Sequence, residues 1–135
     1  MATATHPVSV STWTFWAGHI VSGLVGLFML FDGVMKLIKQ SIAVEATVKL
    51  GYPESVIVGL GITLTVSTVL YLIPRTAVLG AIFLTGYLGG AVASHVRADD
   101  GVFAIVFAVG FGALVWGGLW LREVRVRNLI PLRRY

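Results

Sequence analysis

Apolar residues dominate four long runs, Phe15 to Val34, Ser55 to Ile73, Thr76 to Val96 and Val102 to Leu121, and the polar residues between them cluster instead of alternating. Each run is close to the roughly 20 residues an α-helix needs to cross about 30 Å of hydrocarbon. Strands of a membrane barrel would alternate polar and apolar over about 10 residues. Runs that are apolar all round suit a helix, whose backbone groups satisfy one another in lipid. The pattern predicts an all-α fold, an integral membrane four-helix transmembrane bundle, with residues 1–135 forming a single transmembrane domain and no internal repeat.

The connections are short. Pro74-Arg75 turns the second span into the third with almost no loop, which makes those spans antiparallel neighbours. Pro53 is expected at the first position of the second span, with Glu54 at the positive end of that helix dipole. The longest connection, Leu37 to Tyr52, sets Ile38, Ile42, Ala46 and Leu50 on one side and Lys39, Glu45 and Lys49 on the other, the period of an amphipathic interfacial helix. Gly86 and Gly90 form a GxxxG step continued by Ser94, and Gly23, Gly26, Gly33, Gly110, Gly112, Gly117 and Gly118 add further small positions. These predict close helix packing, so that bulk at Gly86 or Gly90 should hold helices apart. Spacing alone does not decide whether the partner helix belongs to the same chain or to a second copy. None of these glycines sits in a phosphate-cradling loop.

Composition sharpens the picture. Hydrophobic residues make up 57% of the 135 and charged ones 12%, too little polar surface to clothe a soluble core. The absence of cysteine rules out disulfides and thiolate metal sites. Met1 to Thr12 carries no Lys or Arg, so a cleavable signal peptide is not expected. Arg75, Arg122, Arg125, Arg127, Arg133 and Arg134 lie on one side of the membrane, against Lys36, Lys39, Lys49 and Arg97 on the other. This bias predicts a multi-pass protein of the cell membrane with both termini cytoplasmic. Trp13, Trp16, Trp116 and Trp120 fall at that same interface, as does Tyr71, as anchors in the aromatic belt. The lipid bilayer is the first partner, and the net charge of +4 suits anionic headgroups. A nucleic-acid partner is not expected, because no binding module accompanies the basic tail.

Chain parity brings the ionisable residues of the opposite side together. Asp32 and Lys36 lie one turn apart near the end of the first span, Glu54 opens the second, His95 and Arg97 end the third, and Asp99 and Asp100 fill the last connection. Asp32 is the deepest carboxylate, and an acid at the centre of a span costs about 2.5 to 3.5 kcal/mol, less near its edge. Two readings follow: a structural ion pair with Lys36, or a polar pocket. In the pocket, Asp32 and His95 are the candidate catalytic, proton-exchanging groups, and Lys36, Glu54, Tyr87 and Arg97 the candidate ligand-binding ones. Tyr87, Ala91 and His95 share a helix face. His19 lies roughly 20 Å from His95 in depth, so the two cannot share a haem iron, and Ser22 is its candidate local partner. His6 has no assigned role. No carboxylate-histidine spacing of the metal kind occurs, and no metal is expected.

The run Leu70-Tyr-Leu-Ile-Pro-Arg-Thr-Ala-Val-Leu-Gly80, followed by Leu84-Thr-Gly-Tyr-Leu-Gly-Gly-Ala91 and His95-Val-Arg97, resembles the DoxX-like family of small four-helix membrane proteins. Gly33 with Lys36, Leu50-Gly-Tyr-Pro-Glu-Ser55, and Val115-Trp-Gly-Gly-Leu-Trp120 with its basic tail are similar to the same family. The resemblance implies association with membrane oxidoreductase complexes, a quinone as the cofactor or ligand, and an oxidoreductase partner subunit. Relatives often carry a glutamate in the second span where this chain has Leu64. Three functions remain open: a subunit binding a lipophilic, quinone-like ligand beside a partner oxidoreductase; a stand-alone enzyme doing acid-base chemistry on a hydrophobic substrate; and a structural or assembly protein, including a homo-oligomer.

Overall fold

The computed structural model describes residues 11–133; His6 and Arg134 lie outside the described residues. Six α-helices follow one another: α1 (Thr12–Leu37), α2 (Ser41–Lys49), α3 (Ile57–Leu72), α4 (Ala77–Arg97), α5 (Val102–Arg122) and α6 (Val124–Arg127). Four stretches, Thr12–Leu37, Glu54–Leu72, Pro74–Arg97 and Val102–Arg122, are long and apolar enough to cross a membrane. Their outer faces carry large apolar side chains such as Leu24, Leu27, Ile62, Val66, Ile82 and Val106. Such a surface is tolerable only where the solvent is itself apolar.

Local chemistry sets the boundaries. Ser11 caps α1 by accepting a hydrogen bond from the Thr14 amide at 3.3 Å. Pro53 stands one residue ahead of a 3₁₀ turn, Glu54–Val56, that leads into α3, so it precedes the helical position expected for it. Pro74 occupies the first turn of a second 3₁₀ segment, Pro74–Thr76, and the resulting tight corner makes α3 and α4 antiparallel neighbours.

The four long helices stand at the corners of a square. α1 packs against α3 and α5, α4 packs against the same two, and α1 and α4 face each other across a diagonal. The densest core fills the half nearer the basic tail, with Val25, Leu64, Tyr71, Ala81, Leu84, Val115 and Leu119 buried together. Tyr71 is fully buried and its hydroxyl is satisfied twice, at 3.0 Å from Ser22 Oγ and 2.8 Å from the Val115 carbonyl oxygen. One phenol thereby joins α3, α1 and α5. Leu64 lies in this core with no exposed surface.

Helices do meet backbone to backbone, but not at the step singled out by its spacing. A Cβ on Gly80 would fall 2.5 Å from Tyr71 Cα, one on Gly61 would fall 3.0 Å from the Gly33 carbonyl, and one on Gly118 would fall 2.6 Å from Ser22 Oγ. These are the seams α3/α4, α1/α3 and α1/α5. A Cβ on Gly86 or Gly90 would meet nothing within 4 Å. Within the chain, the expected packing stripe is therefore a stretch of cavity wall.

The tail is held more tightly than a free basic segment. Arg122 Nη2 donates to the Tyr71 carbonyl at 3.2 Å and so caps α3. Arg127 donates to the carbonyls of Trp120 and Leu121 at 2.7 and 2.6 Å, capping α5, and its guanidinium lies 4.8 Å over the Trp120 ring. Trp13 and Trp16 project outward. Trp116 Nε1 instead donates to Thr85 Oγ1 at 2.7 Å and Trp120 Nε1 to the Ile130 carbonyl at 3.1 Å.

Candidate functional site

In the half away from the tail, the square opens into a cavity of about 690 Å³ between α1, α4 and α5, roofed by α2. Small residues make the room: Gly86, Gly90 and Ala91 on α4, and Ala104 and Ala108 on α5. Large aromatic rings of α1 and α5 line the cavity beside them. Phe28 of α1 lies 4.7 Å from Phe111, and Phe111 lies 4.8 Å from Phe107, centroid to centroid, so the rings run as a continuous apolar face.

Polar groups gather at the α2 end of this cavity. Lys36 Nζ donates to Asp32 Oδ1 at 2.6 Å. The spacing of four residues stacks the two side chains on one face of α1, and the lysine stem lets its ammonium reach back to the carboxylate. His95 Nδ1 is 2.9 Å from Asp100 Oδ2, and the other oxygen of that carboxylate is 2.8 Å from Lys49 Nζ. The chain can place Asp100 there because Asp99 turns through the left-handed region at φ 51° directly after the end of α4. The hydrogen bonds from Lys49 first and from His95 second hold the Asp100 carboxyl below its ordinary range. Because a carboxylate only accepts, Nδ1 of His95 carries the proton and Nε2 is left as the ring's free acceptor in the neutral form.

Two further residues complete the polar end. The Tyr52 hydroxyl lies 2.6 Å from Ser94 Oγ, which donates to the Gly90 carbonyl at 2.8 Å. Tyr87 lines the cavity within electrostatic reach of Asp32 and Tyr52, and its hydroxyl makes no hydrogen bond among the described residues.

The structure thus brings Asp32, Lys36, Tyr87 and His95 to one cavity and leaves two of the expected residues outside it. Glu54 is exposed at the start of its 3₁₀ turn. Arg97 is turned away to brace α2, its Nη2 donating to the Leu50 carbonyl at 2.6 Å. That bond lies beside Gly51, whose φ of 89° only glycine adopts readily and which reverses the chain after α2. On α2 itself Ala43 and Thr47 are the buried residues, with Ile42, Ala46 and Leu50 along the cavity, and the exposed Lys49 pairs with Asp100 at the rim. His19 bonds the Phe15 carbonyl at 2.9 Å, not Ser22, whose hydroxyl is engaged by Tyr71. Among the described residues, no three His, Cys, Asp or Glu side chains come together as a metal-holding group.

Sequence reasoning missed Asp100, Lys49, Tyr52 and Ser94 as members of the site. The available signal was the pair His95 and Asp100, five residues apart across a helix end that closes with Asp-Asp-Gly, a sequence made for a tight reversal. No match to the chain is found among curated proteins or solved structures. The sequence profile of the DoxX-like family matches residues 20–118, a stretch that takes in most of the four spanning helices and every residue around the cavity, and on that match the chain belongs to the DoxX-like family.

Proposed function

We propose that the cavity binds a lipophilic, quinone-like ligand from the bilayer and that the protein thereby supports a membrane oxidoreductase. The observation that carries this reading is the union, in one space, of an aromatic wall and a polar end. The wall suits an isoprenoid or acyl body. At the polar end, Tyr87 can donate to a ligand oxygen while His95, with Asp100 behind it, accepts or returns a proton. Asp32, bonded to Lys36 at 2.6 Å, is the second proton-exchanging candidate. Both termini lie on the cytoplasmic side in this reading, which places the polar end of the cavity at the outer surface.

A space of about 690 Å³ with an apolar wall and an open side is large enough to admit the tail of a lipid or ligand. The test is mass spectrometry of small molecules extracted from protein purified in mild detergent, beside a Gly90→Leu variant that fills the space. A lipophile enriched with the native chain and lost with the variant supports the reading; equal lipid content in both would refute it.

The His95 and Asp100 pair favours a second reading, a stand-alone enzyme performing proton transfer on a hydrophobic substrate. Turnover of an extracted lipophile by the purified chain alone would establish it over the subunit role.

A further inference from the structure

The charged groups around the cavity are matched in number and in space. Two carboxylates, Asp32 and Asp100, meet two ammonium groups, Lys36 and Lys49, at 2.6 and 2.8 Å. The second carboxylate oxygen of Asp100 is taken by His95. Among the described residues around the cavity, no cation is left over for a carboxylate or phosphate head, and no anion for an amine. An acid entering the polar end would have to draw Lys36 from Asp32, or Lys49 from Asp100, and leave a carboxylate without its ammonium partner. The Asp32 and Asp100 side chains are 38% and 17% exposed, so water can make up only part of the lost partner's role.

The uncommitted hydrogen-bonding capacity is neutral: the Tyr87 hydroxyl, free of any partner among the described residues, and the second ring nitrogen of His95. One supplies a proton and the other receives one. We infer that the cavity selects an uncharged amphiphile whose head is a hydroxyl or carbonyl oxygen, and excludes acids and amines of the same chain length. This rests on the cavity being a lipophile site and adds the class of head group to it.

The experiment uses the full chain in phosphatidylcholine nanodiscs at neutral pH, with hexadecanol, hexadecan-2-one, hexadecanoate and hexadecylamine as probes. Binding is read by native mass spectrometry, with Gly90→Leu as the blocked control. The alcohol and the ketone should bind at least about tenfold tighter than the acid and the amine, and the control should bind none of them. Asp32→Asn and Asp100→Asn each free one ammonium group, and each variant that folds should gain affinity for hexadecanoate but not for hexadecanol. Acid binding by the native chain equal to that of the alcohol would overturn the selection by head group while leaving a lipophile site in place. Loss of all four probes would remove the lipophile site and the inference with it. If neither Asn variant gains affinity for the acid, paired charge is not the cause of selection and the inference fails.

Discussion

Adding one methyl group at Gly80 should damage this bundle, whereas adding one at Gly90 should not. In Gly80→Ala the new Cβ would lie 2.5 Å from Tyr71 Cα and 2.7 Å from the Leu70 carbonyl carbon. Carbon atoms in contact sit about 3.5 to 4.0 Å apart, so α3 and α4 would have to separate by roughly 1 Å at this point. Backbone atoms cannot swing aside as a flexible side chain can. Overpacking of this kind costs about 1 to 3 kcal/mol. Displacing Tyr71 also strains its bonds to Ser22 and Val115, each worth about 1 kcal/mol. The better helix propensity of alanine returns up to about 1 kcal/mol, which leaves a net loss of roughly 1 to 3 kcal/mol. At Gly90 no atom lies within 4 Å of the added Cβ, so the propensity gain stands alone and the variant should be as stable as the native chain or slightly more so. Reversible unfolding in mixed micelles, followed by circular dichroism, measures both. Equal stability of Gly80→Ala and the native chain, or an equal fall in Gly90→Ala, would refute the assignment of the seams.

Three further outcomes are expected. Tyr71→Phe should lose about 1 to 2 kcal/mol in the same assay, because Ser22 Oγ and the Val115 carbonyl lose a buried partner. Asp100 has its folded pKa depressed, so its contribution to holding α2 is complete above the ordinary carboxylate value of about 3.9 and is lost as pH falls through the folded value; hydrogen exchange of the α2 amides should accelerate on acidification below that range in the native chain and show no such step in Asp100→Asn. Cysteines placed at Ala2 and Tyr135 should resist an impermeant label on intact cells while one at Asp99 reacts, and the reverse pattern would invert the topology.

The bundle was legible because span length is a strong signal: four runs of the right size and a proline corner leave few arrangements in lipid. Parity then placed Asp32, Lys36 and His95 at one end, and the (i, i+4) spacing placed Lys36 on Asp32. Gly26, Gly33 and Gly118 pack closely as their small size implies, but Gly86 and Gly90 were read differently from what they do within the chain, for a physical reason. A small residue lets another backbone approach, and it equally leaves room where none does, so Gly80 and Gly90 look alike in a sequence although one is a contact and the other a wall. Asp100, Lys49, Tyr52 and Ser94 were illegible as a group because their bonds join segments 42 or more residues apart, or hang on a left-handed residue at a helix end. Arg122 and Arg127 were read as free charge for the same reason. The carbonyls they cap come together only after the chain has turned.

α2 reaches across from the α1 corner, and its end is fastened to the end of α4 and the loop beyond it by Lys49 to Asp100, Arg97 to the Leu50 carbonyl, and Tyr52 to Ser94. α1 and α4 themselves stand on a diagonal. The roof of the cavity is accordingly a nine-residue crossbar, while the seams that hold the bundle lie elsewhere. Inserting or removing one turn of that crossbar, about 5.4 Å, would reshape the roof without touching a single glycine seam. Closure of that end of the chamber is thereby separated from the packing of the four long helices.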